Sequence, residues 1–181
     1  MPEVAPLPLQ ATAASQRADA LFAAVYDRLK AMASRQRARA GNATLNTTAL
    51  VHELYLKLGS SRELTFETPA QFFDYAAQAM RNILIDRARE YMSLKRGGED
   101  RITDADEEAM RVASTTAERT LELDEALRRL EHEDARAARL VSLHYFAGLS
   151  LVEIAALTGL GTRTLNRDWR YARAFLYKLL S

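Results

Sequence analysis

Cysteine is absent from this 181-residue chain. That excludes a disulfide framework, thiol catalysis and zinc sites built on thiolates. Proline is scarce: the 4 present are Pro2, Pro6, Pro8 and Pro69. With 7 glycines, the chain holds roughly half the usual share of chain breakers. No apolar run approaches the ~20 residues that span a bilayer, and the opening Met1-Pro2-Glu3-Val4-Ala5-Pro6 lacks the basic start of a signal peptide. The expectation is a cytoplasmic protein without membrane contact. Only 3 histidines are available. His52-Glu53 lacks the second His of a metal-binding helix, since Leu56 stands there. Glu131-His132-Glu133 puts neighbours on different helix faces, and no glycine-rich phosphate loop is present. No catalytic residues, cofactor or metal are therefore expected, and the protein is not read as an enzyme.

What remains is 48% hydrophobic and 27% charged, ordinary for a globular protein of one domain or two small ones. Between Pro8 and Pro69, and after Pro69, nothing brakes helix formation. No alternating run of strand length appears, so the fold class is all-α. A first helix is expected over residues 16–39, with Ala18, Leu21, Phe22, Val25, Leu29 and Met32 on one stripe. A second spans 48–58, with Leu50, Val51, Leu54 and Leu58 inward. A third opens with Thr68 as N-cap and Pro69 in first position, carries Phe72, Phe73, Ala76, Met80, Ile83 and Leu84, and ends near Gly97. Residues 97–116 offer few large apolar side chains among many acids, which reads as a flexible acidic linker. Beyond it come a helix with Leu123, Leu127 and Leu130, one capped by Asp134 and stopped by Gly148, a short one opened by the capping box of Ser150 and Glu153, and a last long one capped by Thr162. The division is a disordered tail over 1–14, a helical domain over 15–96, the linker over 97–120 and a second helical domain over 121–181.

The net charge of +1 hides a pattern. Residues 15–96 carry 13 basic and 8 acidic side chains, residues 97–135 carry 5 and 13, and residues 136–181 carry 7 and 2. Two basic blocks flank an acidic one, and nucleic acid is one partner that uses such blocks.

Residues 149–165 fit a helix-turn-helix. Ala155 is small where the helices would touch, Gly159 suits positive φ at the turn, and Ile154, Leu160 and Leu165 fill the angle. In the last helix Leu165, Trp169, Ala172 and Leu176 form an inward stripe. Thr162, Arg163, Thr164, Asn166, Arg167, Arg170 and Arg173 are the candidates for the outer, DNA-facing side. Arg can grip guanine and Asn adenine bidentately in the major groove, and further Arg residues take phosphates. Within the third helix, aromatics stand beside Arg81, Asn82 and Arg87, a mixture that can hold unpaired bases. Phe72, Phe73 and Met80 fit the core better, which leaves the two arginines and Asn82 as candidates.

Residues 48–58, 72–89 and 149–173 together resemble the extracytoplasmic-function (ECF) sigma factors of bacterial RNA polymerase, and the ending Arg167-Asp168-Trp169-Arg170-Tyr171-Ala172-Arg173 is similar to their ECF-like branch. The resemblance implies that residues 15–96 are sigma region 2 and 121–181 sigma region 4. It implies docking on core polymerase through Leu50, His52, Glu53, Tyr55 and Lys57, −10 recognition and melting through Arg81, Asn82 and Arg87, and −35 reading by the last helix. The linker would thread the polymerase channels. Promoter DNA and core polymerase are the implied partners, with a Ser/Thr kinase or an anti-sigma factor as controller. Sigma factors of this kind usually carry acids at the start of the docking helix, where this chain has Asn46-Thr47-Thr48-Ala49. A phosphate on Thr48 or Thr47 would restore the charge; the alternative is a plain N-cap. A conventional helix-turn-helix regulator that does not dock on polymerase explains the C-terminal block equally well, but gives no reason for Arg81, Asn82 and Arg87 beside aromatics.

Overall fold

A computed structural model describes residues 16–17, 30, 51–54, 56, 65–95 and 104–181. The chain enters its first long helix at Thr68, whose Oγ1 accepts the N–H of Gln71 at 3.3 Å, while the Gln71 side chain accepts the N–H of Glu67 at 2.8 Å. Pro69 takes the first position, where its missing N–H costs nothing. Helix α1 then runs over Pro69–Lys95. Phe72, Phe73, Ala76, Met80, Ile83 and Leu84 are buried, as their spacing predicts.

Helix α2 spans Asp104–Glu133. The stretch read as a flexible linker is therefore helical from Asp104 onward, and residues 97–103 lie outside the described residues. Two causes act together. No Gly or Pro interrupts 104–133, and Ser114 and Ala117 are buried, so the apolar seam closes on small side chains rather than large ones. Asp134 is extended (φ −150°, ψ 91°) and turns the chain. Its N–H closes α2 on the Leu130 carbonyl at 2.7 Å, and its side chain accepts the Ala137 N–H at 2.9 Å to open α3, Ala135–Tyr145. Gly148, at φ 69°, turns the chain before α4, Leu151–Thr158, and α5 follows over Thr162–Leu180.

One core joins these elements. It contains Val51 and Leu54 from the helical residues 51–54, the apolar face of α1, Leu127 and Leu130 of α2, Leu140, Val141 and Leu143 of α3, Ile154 of α4, and Leu165 and Ala172 of α5. Each fully buried Leu or Phe contributes roughly 1.5–3 kcal/mol by leaving water. Helix α1 packs chiefly along α2 and also touches α3, while α5 lies on α2 and α3. Among the described residues no buried side-chain nitrogen or oxygen lacks a hydrogen-bond partner.

The fold is all-α; a two-residue antiparallel ladder, Gln16–Arg17 (β1) on Thr65–Phe66 (β2), pairs Gln16 with Phe66 and Arg17 with Thr65. The helix expected from residue 16 is corrected there: those two residues spend their backbone groups on the ladder. Lys30 is helical; the rest of that expected helix and the tail over 1–14 lie outside the described residues.

Candidate nucleic-acid interface

Ser150 and Glu153 form the expected capping box: Ser150 Oγ accepts the Glu153 N–H at 3.2 Å, and Glu153 Oε2 accepts the Ser150 N–H at 2.8 Å. Helix α4 ends at Gly159, whose φ of 71° favours a residue without Cβ. After three residues the chain re-enters a helix. The N-cap of α5 is Gly161, which offers no side-chain bond, so the expected cap Thr162 is instead the first helical residue. The backbone turns extended at Gly161 (φ −66°, ψ 143°), one residue earlier than the hydroxyl suggested.

Leu165 and Ala172 of α5 face the core, with Trp169 and Leu176 half-buried beside them. The opposite side exposes Thr162, Arg163, Asn166, Arg167, Arg170 and Arg173, with Thr164 half-buried at the edge. Asn166 Nδ2 donates to the Thr162 carbonyl at 2.9 Å, and Arg170 Nε to the Asn166 carbonyl at 3.4 Å, so both side chains lean toward the N-terminal end of the helix. The structure thus brings the sequence-derived residues onto one basic surface. What fixes that surface was not legible locally. Asp168, 4% exposed, accepts from Arg136 Nε at 2.7 Å and Nη2 at 3.1 Å, tying α5 to α3. This bonding raises the pKa of Arg136. Trp169 stacks edge-on against His144 at 4.7 Å, and His144 Nδ1 donates to the Leu149 carbonyl at 2.6 Å.

The three candidates on α1 do not share a face. Asn82 is exposed and accepts from Gln78 Nε2 at 2.9 Å. Arg87 is half-buried, and its Nε and Nη2 donate to Glu53 Oε2 at 3.2 and 2.9 Å. Arg81 is buried: its Nε donates to Asp124 Oδ1 at 2.7 Å and its Nη2 to the Asp124 carbonyl at 3.1 Å. Alongside Asn82 the exposed stripe carries Tyr75, Gln78, the acid Asp86 and Arg89, which sequence reasoning passed over although steps of three and four residues connect them. Phe66 packs edge-on against Phe72 at 5.5 Å as part of the core. His52 is exposed and Glu53 half-buried, whereas Leu50, Tyr55, Lys57, Thr47 and Thr48 lie outside the described residues.

A family model described as ECF sigma factor matches residues 9–181. The chain belongs to the ECF sigma factor family. No curated protein and no solved structure matches it. The match spans both basic blocks and the acidic segment between them, and it supports the role of an RNA polymerase sigma factor, a family of transcription initiation factors. Core polymerase and promoter DNA are the partners that membership implies. Among the described residues no helix of this sigma factor is long and apolar enough to cross a membrane.

A second long-range pair stands on the surface of the sigma factor. Arg139 of α3 donates from Nε and Nη2 to Asp74 Oδ1 and Oδ2 of α1, at 2.8 and 2.7 Å. The hydrogen bond raises the Arg139 pKa, against the opposing effect of burial. A raised arginine pKa adds stability that is complete below the ordinary value and is lost only as pH climbs through the raised one, so neither Arg136 nor Arg139 titrates at working pH.

Proposed function

We propose that this sigma factor reads its promoters with two blocks, the first over residues 15–96 and the second over 121–181, joined by the segment 97–120. The exposed basic surface of α5 carries the reading: four side chains able to reach base edges, Arg163, Asn166, Arg167 and Arg170, lie on one face opposite a buried stripe. That face enters the major groove of the −35 element, with α4 across the backbone as in a helix-turn-helix, and Thr162, Thr164 and Arg173 at its margins. The exposed stripe of α1 around Asn82 takes the opened −10 strand, Tyr75 offering a stacking surface and Gln78 a second amide. Arg81 and Arg87 add charge for the backbone once released from their acids.

The helix around residues 51–56 docks on core polymerase, with His52 outward and Glu53 half-buried against Arg87. A phosphate on Thr48 or Thr47 strengthens docking by adding about −1.5 to −2 charges at the start of the docking helix expected from the sequence. Thr48→Glu or Thr47→Glu restores part of that charge and should raise core binding over the matching Ala variants; equal binding by all would remove the switch. Action is in the cytoplasm, where the polymerase is.

The test of the main reading is promoter-specific run-off transcription with core polymerase. Replacing Arg163, Asn166, Arg167 and Arg170 together by Ala should abolish it, and a single base-reading Arg→Ala should cost about 1–3 kcal/mol and relax one base preference. Full promoter-specific transcription by the fourfold variant would exclude α5 as the reading helix.

A further inference from the structure

One buried carboxylate carries two exposed guanidiniums at the flank of α5. Asp168 takes Nε and Nη2 of Arg136 at 2.7 and 3.1 Å, and its Oδ1 also lies 3.4 Å from Nε and Nη2 of Arg167. The Asp168 side chain is 4% exposed, whereas those of Arg136 and Arg167 are 48% and 67% exposed. The two arginines come from different helices, α3 and α5. Arg167 stands one turn and about 40° round the helix from Arg163, on the side of the basic face nearer Asp168. Arg136 adjoins that flank from outside the helix-turn-helix.

A plain tie between helices does not need an exposed cation, yet only the acid of this pair is buried. The pairing also leaves donors over. A guanidinium has five N–H groups in one rigid plane, and Asp168 takes only the edge made by Nε and Nη2. The fork of Nη1 with the outer N–H of Nη2 meets no hydrogen-bond partner among the described residues. Because the plane is rigid and one edge is fixed, that fork has a set direction before any ligand arrives. The rotamer freedom that a loose surface arginine gives up on binding is already lost. Asp134, the other acid whose charge Arg136 feels, turns its carboxylate to the Ala137 N–H. Arg136, Arg167 and Asp168 together remain positive.

We propose that Arg136 is a DNA-backbone contact of the −35 reading surface, taking one phosphate at the flank of α5, and that Asp168 is the positioning residue that aims it and holds Arg167 beside it. The proposal rests on the α5 reading above. An arginine fork suits phosphate because its two parallel N–H groups match two phosphate oxygens. A contact of this kind fixes the register and orientation of the recognition helix and carries no sequence information of its own. The DNA surface thereby extends from α5 onto α3.

The test titrates labelled promoter duplex with holoenzyme, core polymerase plus the full chain, at several salt concentrations, with thermal unfolding of each variant alongside. Arg136→Gln should weaken binding to every sequence alike and lower the salt-dependence slope by about 0.9, which between 1 M and 0.1 M salt amounts to about eight-fold. Arg136→Lys should recover the slope, because it returns the charge. A merely structural tie would leave the slope at the parent's value whichever residue replaces Arg136. Asp168→Asn separates the readings by sign. Removing an acid beside DNA tightens binding by charge alone, whereas loss of the aim of Arg136 should weaken it by about two- to ten-fold. In the Arg136→Gln background the same change should have little further effect. If Arg136→Gln alone does not fold, because Asp168 is left buried without its partner, the double variant with Asp168→Asn removes that charge and carries the same slope prediction. An unchanged slope in Arg136→Gln or in the double variant, or equal or tighter binding by Asp168→Asn, overturns the proposal, while promoter-specific binding by the parent leaves the α5 reading intact. No promoter-specific binding by the parent holoenzyme would sink the α5 reading and this contact with it.

Discussion

Replacing Asp124 by Leu is the sharpest perturbation of the seam between α1 and α2. The Arg81 and Asp124 side chains are 6% and 8% exposed, so solvent barely screens the pair. Asp124→Leu removes the carboxylate from Arg81 and leaves the main-chain carbonyl of residue 124, at 3.1 Å, and one distant charge, Glu131, at 3.9 Å and largely exposed. A buried guanidinium without its carboxylate costs about 3–5 kcal/mol, at least about a fifth of the about 5–15 kcal/mol that holds a typical domain. The reverse change is milder. Arg81→Met keeps the shape of the stem, and Asp124 retains Arg128 Nη2 at 3.0 Å, so the loss should be about 1–3 kcal/mol. With both replaced, no charge is left buried, and the double variant should return to within about 1 kcal/mol of the parent. Urea unfolding followed by far-UV circular dichroism measures all four proteins. The expected coupling is at least about 2 kcal/mol, and additivity within about 0.5 kcal/mol would refute the reasoning. The double variant also separates two roles of Arg81, since it should regain stability and still initiate poorly at the −10 element.

Four further outcomes follow from α4 and α5. Ser150→Ala should cost about 1 kcal/mol in thermal unfolding, because the capping box loses its acceptor for the Glu153 N–H. Gly159→Ala should cost about 1–2 kcal/mol from the left-handed backbone alone, since an added Cβ there meets nothing within 4 Å. Gly161→Ser should instead stabilise by a few tenths of a kcal/mol, supplying the N-cap hydroxyl that α5 lacks; a loss would show that the turn needs glycine at both ends. Arg173→Ala should weaken binding to all promoter sequences alike and reduce the salt-dependence slope by about 0.9 if it holds one phosphate, read by titration of labelled duplex with holoenzyme at several salt concentrations.

Features that depend on neighbours three or four residues away were legible in the sequence. The Thr68 and Asp134 caps, the Ser150 capping box, the turn at Gly159 and the split of α5 into a buried stripe and a basic face all belong to that class. The same periodicity, applied along α1, would have placed Tyr75 and Gln78 beside Asn82 and moved Arg81 inward. What stayed hidden depends on tertiary meeting. Arg81 and Asp124 are 43 residues apart, Arg139 and Asp74 are 65 apart, and nothing local announces either pair. The helix over 104–120 escaped notice because its seam is built on Ser114 and Ala117, side chains too small to count as a hydrophobic stripe. The cap at Gly161 escaped because backbone angles, rather than the available hydroxyl, decide where a helix begins.

The central claim is that this protein gives core RNA polymerase its promoter choice. The most direct test reconstitutes it with core polymerase on genomic promoter fragments and maps the run-off transcripts. The expected result is co-elution with core and discrete start sites that appear only when the protein is added. Tight binding to a duplex site by the protein alone, with no co-elution and no added transcript, would contradict the claim and make it a conventional helix-turn-helix regulator.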